Sequence, residues 1–161
     1  MTESISIDEK DEAILKLLQQ DARNLSSGEI SDKADVSASA VRKRIKKLEE
    51  SSVIKGYSAE IDYEKSGYPI RMILYCTAPI PERGELVEEI LDIPRVVSVQ
   101  ELITGDENLL ITAVGEQDSD ITPIAEELLD LGLTITDEVL VRQHETSAFD
   151  GFGPGDDSSS G

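Results

Sequence analysis

Two helix starts stand close together in one stretch, "LSSGEISDKADVSASAVRKRIKKLEE", Leu25 to Glu50. Ser26 followed by Glu29 is a capping box, in which each side chain satisfies the other residue's backbone N–H at a helix N-terminus. Leu25 and Ile30 flank that cap at the two positions of a hydrophobic staple, which fixes how the chain enters the helix. Ser37 repeats the device as a cap, with Val36 and Val41 as a second staple. The helix begun at Ser26 is therefore short and ends near Ala34. Two helices joined by a turn of about three or four residues form a helix-turn-helix. Upstream, Asp8 caps "EKDEAILKLLQQ", whose Ile14, Leu15, Leu17 and Leu18 give an apolar face at helical spacing.

The helix that follows Ser37 carries an unusual charge load. The chain has 15 Lys and Arg against 34 Asp and Glu, a formal charge of −19. Five of those 15 (Arg42, Lys43, Arg44, Lys46, Lys47) fall within six positions. At about 100° per residue, Val41, Ile45 and Leu48 turn inward together, while Ser39, Lys43, Lys46 and Glu50 lie opposite, flanked by Arg42 and Lys47. Arg44 sits nearer the buried edge, placed for packing or an ion pair. Most charge runs are simply solvated faces. Three features compete with that here: the run lies on the second helix of the pair, Ser37, Ala38, Ser39 and Ala40 keep its N-terminal end slim, and the rest of the chain is acidic. A slim end lets the backbone approach a DNA groove, where cations meet phosphates and base edges. Candidate contacts are Ser37, Ser39, Ala40, Arg42 and Lys43 for bases or phosphates, and Lys46 and Lys47 for phosphate.

Charge also divides the chain. Residues 1–60 carry a net −2 and residues 61–161 a net −17, which indicates two units with different partners. A large negative charge opposes nucleic-acid binding, but at molar salt the Debye length is only about 3 Å and the objection weakens. Such a surface is the usual composition of a halophile's protein; the alternative is an ordinary acidic protein with a solvated face. The opening "MTESISIDEKDEAIL" has no basic segment followed by an apolar one, so no signal peptide is expected, and "LLITAV" is far too short to span a bilayer. A single cysteine, Cys76, allows no intrachain disulfide and reads as core; one Cys and one His argue against a structural zinc site. A cytoplasmic protein with no membrane partner, metal or cofactor is expected.

From about Ile70 the periodicity changes. "IRMILYCT" is a buried strand and "ERGELVEEILDI" a helix; "VVSVQELIT" and "LLITAVG" are strands separated by the turn "GDEN". "ITPIAEELLDLG" is a helix with Pro123 in its first turn and Gly132 at its end, and "LTITDEVLVRQ" is the last strand. The order βαββαβ predicts an α+β ferredoxin-like domain, a four-stranded sheet with two helices on one face. The segment "VIKGYSAEIDY" reads as extended: a wing, a linker strand, or both. Expected boundaries are residues 1–55 for the helix-turn-helix (winged-helix-like) domain, 56–68 for the linking strand, 69–146 for the ferredoxin-like domain, and 147–161 for a disordered acidic Gly/Ser tail.

With these residues in view, the chain resembles the Lrp/AsnC (feast/famine) family of transcription regulators, in the form expected of a haloarchaeon. "IDEKDEAILKLLQQDAR", "VSASAVRKRIKKLEESSVIKGYSAEID" and "ITGDENLLITAV" carry the resemblance, which covers about residues 7–143. It implies a recognition helix over residues 38–50 that binds double-stranded DNA, a link through Tyr57–Ile61, and a C-terminal domain that assembles homodimers or larger homo-oligomers. It further implies that Gly105, Asp106 and Asn108 of the "GDEN" turn help bind a small effector, often an amino acid; Gly105 equally suits a plain hairpin glycine at positive φ. Two departures stand out. Asp35 occupies the turn position where the family usually has Gly, and Asn108 stands where it usually has a second Asp. Asp tolerates the left-handed backbone such a turn needs. Losing a carboxylate weakens attraction for an α-ammonium group, although an amide oxygen still accepts a hydrogen bond.

Two other functions compete. Some relatives of this family decarboxylate sirohaem-type tetrapyrroles, which needs cationic or His groups to hold several carboxylates and donate protons. The candidates are Lys65, Arg71, Arg83, Arg95, Arg142 and His144, and they are few, so no catalytic residue is assigned. The third reading is an effector-binding assembly whose helix-turn-helix no longer binds DNA.

Overall fold

The computed structural model describes residues 5–79, 83–103 and 105–152. Its contacts divide the chain into two units, one running up to Ala59 and rejoined by the stretch from Glu145, the other spanning Glu60–His144.

The first unit holds three helices, α1 (Glu9–Asp21), α2 (Ser27–Ala34) and α3 (Ala38–Glu50). Each begins as its sequence dictates. Asp8 accepts from Asp11 N and Asp11 returns the bond, Ser26 and Glu29 do the same, and Ser37 accepts from Ala40 N. Local caps of this kind are worth about 1 kcal/mol each and fix where a helix starts, but burial holds the helices together. Ile14 and Val41 are fully buried and Ile30 nearly so, with Ala34 beside them and Leu17, Leu18, Leu25, Val36 and Ile45 packed around the cluster. Both expected staples are therefore inside. Burying a side chain of that size contributes about 1.5 to 3 kcal/mol.

Between α3 and the first strand the chain runs through turns and irregular backbone, without an assigned strand. The extended link expected at residues 56–68 has no regular pairing within this one chain. Tyr57 and Ile61 are more than half exposed there, and Glu49 hydrogen-bonds the Tyr57 phenol.

The second unit follows the order β1 (Ile70–Thr77), α4 (Arg83–Leu91), β2 (Val96–Glu101), β3 (Leu109–Gly115), α5 (Ile121–Asp130) and β4 (Thr134–Leu140). The strands lie in the order β2-β3-β1-β4, every neighbouring pair antiparallel. That is the split βαβ arrangement. Side chains alternate across a sheet. Leu74, Cys76, Leu109, Ile111 and Ala113 accordingly face the helices and pack with Leu86, Ile90, Ile121, Ile124 and Leu128. Ile73, Tyr75, Leu110, Thr112 and Val114 fall on the other face. Gly132, at φ +88, ends α5 as its position predicts.

The composition predicts disorder from residue 147, and the structure differs over the part it describes. Phe149 donates its N–H to Gln19 Oε1 at 2.9 Å and accepts from Gln19 Nε2 at 3.2 Å. Its ring meets Phe152 edge-to-face, 4.9 Å between centroids. One side-chain amide thus pairs with a backbone N–H and C=O as a strand neighbour does, which the residue types alone do not reveal. Residues 153–161 lie outside the described residues.

Candidate nucleic-acid interface

The turn between α2 and α3 is held from several sides. Asp35 adopts the left-handed conformation, φ 53 and ψ 51, that its place in the turn requires. Its N–H, with that of Val36, reaches back to Ser31 O, while the Ser31 hydroxyl donates to Val36 O. Lys10 Nζ donates to the carbonyls of Ala34 and Asp35 at 3.2 and 3.3 Å, satisfying groups at the C-terminus of α2 that the helix leaves open.

On α3 the burial pattern separates two faces. Val41 and Leu48 are fully buried; Ser37, Ser39, Arg42, Lys43, Lys46 and Lys47 are exposed, and Ala40 is half-buried. The candidate DNA contacts therefore share the outward side of one helix. Lys46 also meets Glu50 at 3.7 Å, an exposed i,i+4 pair of little energetic consequence.

Arg44 departs from the other four cations. Its Nη1 lies 2.8 Å from both Asp8 carboxylate oxygens and 2.8 Å from Asp11 Oδ1. The guanidinium holds the Asp8 carboxyl at about 2, well below its usual 3.8, with the Asp11 N–H assisting. Asp8 in turn raises the Arg44 pKa, with Asp11 adding to the effect. The contacts of Asp8 and Asp11 with Arg44, and of Lys10 with the α2–α3 turn, are ones the sequence alone does not reveal. The available signal was Arg44's place at the buried edge, which calls for a partner without saying which one.

At the other candidate site, Gly105 takes φ +110 and Gly105 and Asp106 are exposed on the β2–β3 turn. Asn108 is engaged differently. Its Oδ1 accepts from Ala78 N at 2.8 Å and its Nδ2 donates to Ala78 O at 2.7 Å. Both ends of the amide thus hold the chain leaving β1, and the Thr77 hydroxyl adds a bond to Asp106 O. Of the groups considered for tetrapyrrole chemistry, Lys65 and Arg95 are held by carboxylates. Lys65 pairs with Asp62 at 3.3 Å, Arg95 pairs with Asp120, and His144 is exposed beyond β4. Burial pushes the Cys76 thiol up to about 11, so it stays protonated in the core.

Residues 7–55 match the family model for winged helix-turn-helix DNA-binding. Over 150 residues the chain is 35% identical to the HTH-type transcriptional regulator LrpA1 of Halobacterium salinarum, an alignment covering 92% of this chain and 96% of the relative. The chain belongs to the Lrp/AsnC family. The LrpA regulator of Pyrococcus horikoshii is 33% identical over 118 residues, 73% of this chain and 82% of that one. The leucine response regulatory protein of Mycobacterium tuberculosis shares the fold, with a TM-score of 0.75 at 21% identity over 90% of this chain and 99% of the other. So does a regulator of Neisseria meningitidis in complex with L-Met, TM-score 0.71 at 22% identity, covering 89% and 96%. The matched residues 7–55 contain α1, α2 and α3.

Proposed function

We propose that this protein is a homo-oligomeric transcription regulator that inserts α3 into the DNA major groove. One observation carries the reading: α3 turns Ser37, Ser39, Arg42, Lys43, Lys46 and Lys47 outward while burying Val41 and Leu48. Ser39, Ala40, Arg42 and Lys43 lie at the slim N-terminal end that meets base edges; Lys46 and Lys47 lie a turn further on, towards phosphate. The sheet face away from α4 and α5, with Ile73, Tyr75 and Leu110 half-buried on it, is the surface suited to a second copy. Two copies related by a two-fold axis present their recognition helices to successive major grooves about 34 Å apart. Nuclease footprinting on DNA upstream of its own gene tests this. Two protected half-sites one helical turn apart are expected, and uniform cleavage at every protein concentration would overturn the reading.

An amino-acid-like effector is part of the same proposal. Family membership and the L-Met complex of one structural neighbour support it, as do the exposed Gly105 and Asp106. Asn108 serves there by holding the turn against Ala78. A ligand that binds only the folded state raises its melting temperature. A thermal-shift screen of the L-amino acids is expected to single out a few, and no shift with any would contradict the effector assignment.

A further inference from the structure

We infer that Arg44, although it belongs to the five-cation run, is a positioning residue that clamps α3 to the first turn of α1 and so sets the pose in which Arg42 and Lys43 meet DNA. This rests on the DNA-binding reading above. Three observations support it. First, Arg44 reaches two carboxylates on a different helix, and both are themselves tied down. Asp8 Oδ1 receives Asp11 N at 2.9 Å and Asp11 Oδ2 receives Asp8 N at 3.2 Å, so the capping box of α1 is also the receptor for α3. Second, the Asp11 side chain is only 3% exposed and that of Arg44 29%, so this pair is partly shielded from the salt that screens exposed charges, whereas Asp8 is 55% exposed. Third, Lys10 of the same turn holds the carbonyls of Ala34 and Asp35. One turn of α1 thus grips both helices of the DNA-binding pair.

The physical need is directional. Val41, Ile45 and Leu48 press α3 inward, but apolar contact alone leaves a helix some freedom to roll or slide along its stripe. Charge-assisted hydrogen bonds of fixed geometry remove that freedom. Base readout depends on hydrogen-bond alignment, so a small error in helix pose is felt at the bases more than at the phosphates.

The test uses the full chain, unaltered and as Arg44→Met, Arg44→Lys, Asp8→Asn and Lys46→Ala. Affinity for specific and non-specific DNA is measured across a KCl series, with thermal unfolding in the same buffers. For Arg44→Met the ratio of specific to non-specific affinity is expected to fall about tenfold or more, the size of one lost base contact. The slope of log affinity against log salt stays as in the unaltered protein, because no phosphate contact is removed. Lys46→Ala gives the opposite pattern, a slope shallower by about 0.9 with the ratio kept. Arg44→Lys recovers part of the loss. Asp8→Asn keeps a competent cap while removing one charged partner, so it tests the clamp even where Arg44→Met folds poorly. It is expected to lower the ratio less than Arg44→Met does. A shallower salt slope for Arg44→Met, or an unchanged ratio in folded Arg44→Met or Asp8→Asn, overturns the inference. Absence of specific binding by the unaltered protein would sink the DNA-binding reading itself.

Discussion

Some side chains act on backbone three positions away, and others hold backbone thirty positions away. Ser26, Glu29 and Ser37 act on backbone within three positions, so their roles can be read from spacing alone. Asp35 was legible through the family resemblance, whose usual Gly marks a left-handed turn position that Asp tolerates. Asn108 was not. Its partner Ala78 lies 30 positions away, and only the folded sheet brings the two together. Nothing in "GDEN" distinguishes an amide that binds a ligand from one that pins a neighbouring loop. The distinction has a measurable consequence, because Nδ2 donates to a backbone carbonyl that a carboxylate cannot serve. Restoring the family's usual residue with Asn108→Asp is expected to destabilise the second unit by about 1 to 3 kcal/mol, read from chemical unfolding. Unchanged stability would mean that the amide pairing contributes nothing.

Elements are where amphipathic pattern and long-range contact meet. The stripe on α3 was readable as two faces, and Val41 and Leu48 are buried as that stripe requires. Arg44 could be placed only at the edge of the stripe. Its acceptors are 33 and 36 positions away on α1, and periodicity within one helix carries no information about a second. The clamp leaves a titration signature on α1. Asp8 has its pKa depressed from 3.8 to about 2, so the cap's stabilising contribution is fully present above pH 3.8 and is lost as pH falls through about 2. Carboxyl NMR on the intact chain is expected to find the Asp8 midpoint near 2, and Arg44→Met to return it towards 3.8. A midpoint indifferent to Arg44 would remove the guanidinium as its cause. The described part of the tail makes the same point from further away: the bond between Gln19 and Phe149 joins residues 130 positions apart, beyond the reach of composition.

At the scale of the whole molecule, a charge of −19 coexists with one cationic helix face. Four carboxylates, Glu89, Asp92, Glu127 and Asp130, line a single shallow depression beside Ile93 and Leu131. Repulsion among like charges of this kind is relieved by salt, so the melting temperature is expected to rise steadily as KCl is raised from low to molar concentration. A melting temperature that stays level or falls over that range would contradict this account of the acidic surface. Salt has the reverse effect on phosphate contacts, whose counterion-release contribution shrinks steeply with concentration. Specific contacts from the slim end of α3 must then supply more of the affinity, which puts the weight of recognition on Arg42 and Lys43. The most direct measurement is fluorescence-anisotropy binding to DNA from upstream of the protein's own gene across a KCl series, comparing the unaltered chain with Arg42→Ala/Lys43→Ala. Saturable, sequence-dependent binding that survives at high salt and disappears in the double variant is the predicted result. Equal binding by both proteins, or none by either, would return "RKRIKK" to an ordinary solvated face and contradict the account.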